Sequence, residues 1–151
     1  MKALSLWQPW AALWLSPAKE HETRRWATTY RGALLVHAAK KIIRDIDGPL
    51  RTILDDEFGG HWAMDLPAGA LIGIVNLVAI VPTETLPLEH RATDDFHCGD
   101  FSPGRFAWRR GFFRRFETPI PYRGHQAMFE VPHSVVADAI TAAEAKAGAS
   151  L

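Results

Sequence analysis

Apolar and polar positions along this chain change period several times, and each change marks an element. Ala3 to Trp7 is a short β-compatible run that stops at Gln8-Pro9. Trp10, Leu13 and Trp14 then fall at i, i+3 and i+4, so the spacing predicts a short helix with one apolar face. Pro9 suits its first turn, where a missing N–H costs nothing, and Ser16-Pro17 should end it. His21 to Trp26 reads as extended, with Glu22, Arg24 and Trp26 on one side and His21, Thr23 and Arg25 on the other.

After a turn over Thr28 to Gly32, Ala33 to Ala38 is a buried-strand candidate. Ile42, Ile43 and Ile46 carry a helical spacing that breaks at Gly48-Pro49 and resumes with Leu50, Ile53, Leu54 and Phe58 before Gly59-Gly60. Ala70 to Val81 is apolar and β-branched, the pattern of a central strand, and Pro82 closes it. Thr83 to Gly104 is polar, acidic and turn-rich, which predicts a long surface loop with at most one helical turn. Phe106 to Trp108 and Phe112 to Phe116 read as two strand pieces around an Arg-Arg-Gly turn, followed by a turn over Pro119 to Gly124 and a strand over Gln126 to Val131. Ser134 is placed to cap a last helix with Val136, Ala139, Ile140 and Ala143 inward.

Strands dominate, helices cluster among the early ones, and regular βαβ alternation is missing. The order favours an α+β domain on a curved or barrel-like sheet. With 151 residues, 48% of them hydrophobic, the chain fits a single domain over residues 1–147 and a frayed tail over 148–151. No run reaches transmembrane length, no signal-peptide pattern opens the chain, and the single Cys98 has no internal disulfide partner. A cytoplasmic setting is the expectation.

The absence of net charge argues against a strongly basic coat, but the charge is unevenly placed. Six Arg stand against one Glu between Arg105 and His125, and five acids against one Arg between Glu84 and Asp100. A local cationic face of this kind can hold a short polyanion.

Lys19-x-x-Glu22-x-Arg24 is the sharpest cluster, offering cationic donors beside one carboxylate acceptor, a set that suits a base edge or a sugar-phosphate. Its bland reading is a solvated surface ion network. A carboxylate flanked by two cations makes a poor general base near neutrality, and a lysine beside a carboxylate makes a poor nucleophile, so binding is the simpler role. Trp7 and Trp26, beside polar residues at element ends, are candidates to stack on a base, whereas Trp10 and Trp14 belong with Leu13 in the core. His37 sits in an apolar strand, where a satisfied core histidine is favoured over a ligand contact. Arg105, Arg109, Arg110, Arg114, Arg115 and Arg123 interleave with aromatics, as in a phosphate-contacting ribbon or an ordinary solvated strand face. His90, His97 and Cys98 fit no standard zinc framework, so no metal and no cofactor is called for.

The run LSLWQPWAALW, then Lys19-x-x-Glu22-x-Arg24-x-Trp26, then Tyr30-Arg31-Gly32 and Leu35-x-His37-Ala38, closely resembles the ASCH (activating signal cointegrator homology) family. The segments GRFAW (Gly104 to Trp108) and PYRGHQAMFEVP (Pro121 to Pro132) resemble its closing strands. Pro17 departs from the family pattern, which has Gly two positions before the Lys. The resemblance implies a PUA-like β-barrel with surrounding helices and a cleft near the first helix that takes RNA or another single-stranded nucleic acid. Some small bacterial members are hydrolases of acetylated cytidine and others have been described as ribonucleases; the deacetylase-type members carry Thr where Glu22 stands.

The leading expectation is therefore a nucleic-acid-binding domain whose cleft holds RNA or a nucleotide-like small molecule. The ligand-binding candidates are Trp7, Gln8, Lys19, Glu22, Arg24, Trp26, Tyr30, Arg31, His37, Arg109 and Arg110. An enzyme of the N4-acetylcytidine amidohydrolase or ribonuclease type is the alternative, with Lys19 and Glu22 catalytic, and it requires that one of them be desolvated. A protein-interaction module docking through the Arg-rich ribbon is the third.

Overall fold

The computed structural model describes residues 1–149. Six strands form one mixed sheet in the order β2-β5-β4-β3-β1-β6: β1 (Lys2–Gln8), β2 (His21–Arg24), β3 (Gly32–Ile42), β4 (Ala70–Pro82), β5 (Phe106–Pro121) and β6 (Met128–Glu130). β1 runs parallel to β3, and the other pairings are antiparallel. The α+β class holds, but the sheet is open, with β2 and β6 at its edges, so the expected closed barrel is not found among the described residues. Both edge strands are short, four and three residues, and each pairs with one neighbour only. No helix among the described residues is long and apolar enough to cross a membrane.

Alternation along the inner strands covers both faces. Leu4, Leu6, Leu34, Val36 and Ala38 enter one core with Trp14 and Leu15 at the end of the first helix, α1 (Trp10–Trp14). Ala3, Leu35, Leu71 and Phe116 face the other way, onto Val136 and Ala143 of the last helix. A third cluster, with Leu13, Ile53, Leu54, Trp62 and Cys98, seats α2 (Gly48–Phe58) and α3 (Trp62–Asp65) beside α1.

Several expected boundaries move, each for a local reason. Ile42 and Ile43 are not helical: Ile42 pairs with Gln8, and Ile43 N–H donates to the Gln8 carbonyl at 2.8 Å, which extends β3 instead. Gly48-Pro49 begins α2 rather than breaking a helix, since proline is tolerated in the first turn. The two Arg-flanked strand pieces are one continuous β5, because β4 supplies a partner along its length through three register shifts. The segment 83–104 is more than a surface loop: it has two 3-10 turns and α4 (Asp94–His97), and it buries Thr83, Asp95 and Cys98. The last helix, α5 (His133–Ala149), starts one residue before the expected Ser134 cap. Residues 148 and 149 of the expected frayed tail are helical, and 150–151 lie outside the described residues.

Gly73 marks where α1 rests on the sheet. A Cβ there would stand 2.5 Å from the Arg114 carbonyl oxygen and 2.6 Å from Leu15 Cδ1. Gly73→Ala is expected to lower the free energy of unfolding by about 1–3 kcal/mol, the usual cost of overpacking, as a lower denaturant midpoint at unchanged slope.

Candidate nucleotide-binding cleft

The cleft crosses the carboxyl end of β1. Ser5 and Trp7 project there from alternate positions of the strand, and the chain at the end of β2 brings Arg24 and Trp26 against them. These four residues are common to two adjoining cavities. The first, about 730 Å³, is bordered also by Trp10, Glu22, Thr23, Arg25, Leu50, His97, Gly99, Asp100 and Arg105. The second, about 1130 Å³, is completed by His37, Ala39 and Lys40 of β3, by Gly69, and by residues 121–127.

Alternation puts Glu22 and Arg24 on one face of β2, as expected, and pairing with β5 fixes them opposite Trp108 and Phe106. Lys19 is fully buried behind them. Its Nζ donates to the Cys98 carbonyl at 2.8 Å and lies 3.3 Å from Glu22 Oε1. Glu22 Oε1 also accepts from the Thr23 N–H at 3.0 Å, so Oε2, 3.6 Å from Arg24 Nε, is the less committed acceptor. Arg24 Nη2 donates to the Ser5 carbonyl at 2.7 Å, and its buried Nε–H has no hydrogen-bond acceptor among the described residues. The trio is thus layered: Lys19 steadies Glu22 from inside, and Glu22 and Arg24 face the first cavity.

The supposed surface loop builds one wall of that cavity. Asp95 Oδ2 accepts from His21 Nδ1 and from His90 Nε2, each at 2.7 Å, and Oδ1 accepts from the backbone N–H groups of Glu20 and His21. Burial acts to raise this carboxyl, but the hydrogen bonds from the two imidazoles and the His21 backbone outweigh it, and the group is held far below the usual carboxylate range. These three side chains bring their ligand atoms within 4.8 Å of one another, the donor types of a zinc site. Their 2.7 Å separations are hydrogen-bond lengths, shorter than the about 3.3 Å expected between donors on one tetrahedral zinc. The cluster reads as a strut between α4 and β2. Beyond it, Asp100 N–H donates to Thr23 Oγ1 at 3.2 Å and Arg105 Nη2 to the Thr23 carbonyl at 3.2 Å. The Ser102 hydroxyl and backbone N–H hold the Asp100 carboxyl low. Burial pushes the Cys98 thiol up to about 11, so it stays a thiol at neutral pH.

In the second cavity, His37 Nε2 lies 2.7 Å from the Tyr122 carbonyl, which can only accept, so that nitrogen carries a proton. Burial lowers the pKa of His37, against the Tyr122 bond and with help from His125, and the ring is neutral at pH 7. Its Nδ1 therefore accepts from the Ser5 hydroxyl, 2.9 Å away. A Cβ at Gly124 would stand 2.6 Å from His37 Cε1 and 3.1 Å from Ser5 Oγ, so the backbone there lies directly on this pair.

The structure brings Trp7, Glu22, Arg24, Trp26 and His37 into the cleft. Trp7 is 51% exposed with Lys41 Nζ 4.0 Å from its ring centroid, while Trp26 packs edge-on against Trp108. Gln8 lies elsewhere: it is fully buried, accepting from Ala12 N–H at the start of α1 and donating to the Pro67 carbonyl. Tyr30 donates its hydroxyl to the Ala33 carbonyl, and Arg31 bonds to the Thr28 and Tyr30 carbonyls, both outside the two cavities. Arg109 is exposed on β5 opposite His21, also outside the cavities. Arg110 donates to the Trp14 and Ser16 carbonyls and Arg115 to the Leu15 carbonyl, so these two guanidiniums satisfy the end of α1. Of the Arg-rich stretch, Arg105 and Arg123 border the cleft.

Trp10 was expected in the core; it is half-buried and borders the first cavity. Sequence reasoning missed Ser5 and Arg25, which lie inside the early motif between its marked positions, and Lys40, Asp100 and His125, which lie outside it. For Arg105 and Arg123, the excess of Arg between 105 and 125 was the available signal.

The ASCH domain family model matches residues 4–140. Among solved structures, the crystal structure of ASCH from Zymomonas mobilis is similar at 16% identity, covering 93% of each chain with a TM-score of 0.57. A mutant form of that Zymomonas mobilis protein is similar at 14% identity, covering 93% of this chain and 94% of that one with a TM-score of 0.53. At these identities the likeness is one of fold. No curated protein sequence matches the chain.

Proposed function

The chain belongs to the ASCH domain family, a family associated with RNA binding, and from that premise we propose that its cleft binds single-stranded RNA or a nucleotide-like ligand. The observation that carries the reading is the wall shared by the two cavities, where two indoles, Trp7 and Trp26, flank a guanidinium whose buried Nε–H has no protein acceptor among the described residues. Trp7 offers an exposed ring face for a base, and Glu22 Oε2 offers an acceptor for a base amine or ribose hydroxyl. Lys19, buried behind Glu22, orients that carboxylate and does not touch the ligand.

Trp7→Ala is the cleanest probe, because the ring is half exposed and its loss leaves the core intact. The expected result in fluorescence anisotropy with a labelled single-stranded RNA is weakening by about 1–3 kcal/mol, the worth of one stacked base, or roughly 5- to 150-fold in Kd. Equal binding by wild type and Trp7→Ala would remove the cleft from the account.

A second reading has one observation behind it. Lys19 and Glu22 are both desolvated, the condition a hydrolase or ribonuclease built on them requires. Mass spectrometry of N4-acetylcytidine and of short RNA after incubation tests it; product formed by wild type and lost in Glu22→Gln would support it, and intact substrates would dismiss it.

A further inference from the structure

The two cavities differ in how their charge is balanced. In the first, Arg24 lies 3.6 Å from Glu22 and Arg105 3.6 Å from Asp100, so two carboxylates stand among its three guanidiniums, acceptors and donors of the kind a base edge can use. In the second, Arg24, Lys40, Arg123 and His125 line the wall, and among the described residues no carboxylate does. Neither Lys40 nor Arg123 has an acidic partner among the ion pairs of the described residues. They come from different elements, β3 and the loop after β5, so no helix or strand periodicity explains their convergence.

Lys40 and Arg123, brought beside Arg24 in a concave site without acidic partners of their own, repel one another, an arrangement an anion relieves. The second cavity, about 1130 Å³, has space for one. Gly69, at φ +65°, runs beside Lys40, and a Cβ there would stand 3.3 Å from Lys40 Cγ. At Gly124, a Cβ would stand 2.6 Å from His37 Cε1, so the backbone closes the floor of the cavity over Ser5 and His37. Ser5, Trp7, Arg24 and Trp26 border both cavities, so the second lies directly beside the site offered to a base in the first.

We infer that the second cavity is a phosphate subsite, so that the cleft takes a phosphorylated nucleotide or a nucleic-acid strand in preference to a free nucleoside. The inference rests on the binding reading above and names its ligand class. Arg24 bridges the base and phosphate halves, and Lys40 and Arg123 supply charge to the phosphate.

The test compares a nucleoside set, the matching 5′- and 3′-monophosphates, and a mixed-sequence RNA tetranucleotide by calorimetry, on wild type, Lys40→Ala/Arg123→Ala and Trp7→Ala. Lys40 and Arg123 are exposed, so the double variant is expected to fold as wild type does, which circular dichroism checks. Wild type should bind the phosphorylated ligands at least tenfold more tightly than the nucleosides. The double variant should lose that advantage while keeping the nucleoside affinity, and Trp7→Ala should weaken both. The log–log salt slope for RNA should fall by about 1.4 in the double variant, at roughly 0.7 for each single-strand phosphate that the protein no longer neutralises. Equal affinity for nucleosides and nucleotides, or an unchanged double variant, overturns the phosphate subsite and leaves the base cavity standing. If no nucleoside, nucleotide or RNA binds wild type, the binding reading fails and the subsite with it. Displacement of RNA by an equal concentration of a Glu-rich peptide would also overturn the assignment, by showing an acidic-protein site.

Discussion

Lys19→Met is expected to lower the free energy of unfolding by about 3 kcal/mol, the lower end of the cost of leaving one half of a buried ion pair without its partner. Methionine keeps most of the side-chain volume, so the loss reports the charge rather than a cavity. Lys19 Nζ supplies two interactions that nothing else replaces: the hydrogen bond to the Cys98 carbonyl and the charge 3.3 Å from Glu22 Oε1. Arg24, 3.6 Å from Glu22 Oε2, offsets part of the cost, which is why the lower end applies. Combining Lys19→Met with Glu22→Gln removes both charges and should recover about 1–3 kcal/mol relative to the sum of the single variants. Urea unfolding of the four proteins measures this coupling. Additive losses would show that the two groups do not act as a pair. The single Lys19 variant should also bind RNA more weakly, since Glu22 is then free to swing toward Arg24.

Asp95→Asn is expected to cost about 2–4 kcal/mol at neutral pH, because one carboxylate accepts from two imidazoles and two backbone N–H groups. The direction with pH follows from its depressed folded-state pKa. A depressed carboxyl contributes stability that is fully present above its unfolded value, ordinarily 3.8, and that is lost as pH falls through the folded value. The gap between wild type and Asp95→Asn should therefore be widest near neutrality and narrow steadily below about pH 4. Chemical unfolding at a series of pH values checks this, and a gap independent of pH would mean that the carboxylate charge is not what holds the strut. Asp95 sits on the segment that carries His97, Asp100 and Arg105 to the first cavity, so the variant should weaken ligand binding as well.

The two substitutions act on either side of β2, and that short edge strand shows how far residue pattern alone can reach. Spacing placed Glu22 and Arg24 on one face, because side chains alternate in any extended chain. Spacing could not place Lys19 behind Glu22, since its position depends on a carbonyl seventy-nine residues away. Gln8 carries the same lesson. It stands among the ligand-binding candidates, yet both ends of its amide are taken by Ala12 and Pro67.

Local pattern determined most of the elements: β1, α1 and the long apolar β4 follow from periodicity and from proline punctuation, forces that act within a few residues. It also determined the family, because the early motif is compact, and the aromatic and charged side of the cleft that this motif carries. What only the tertiary structure decided involves partners distant in sequence. An open sheet rather than a barrel depends on how the two short edge strands pair, and the passage of β5 through Arg-Arg-Gly depends on β4 lying alongside it. The sorting of the arginines was decided in the same way. Arg110 and Arg115 meet helix-end carbonyls, whereas Arg105 and Arg123 reach the two cavities. Charge counts along a chain are blind to that division, because whether a guanidinium binds its own backbone or stays available for a phosphate is settled by which groups the fold brings within hydrogen-bond reach.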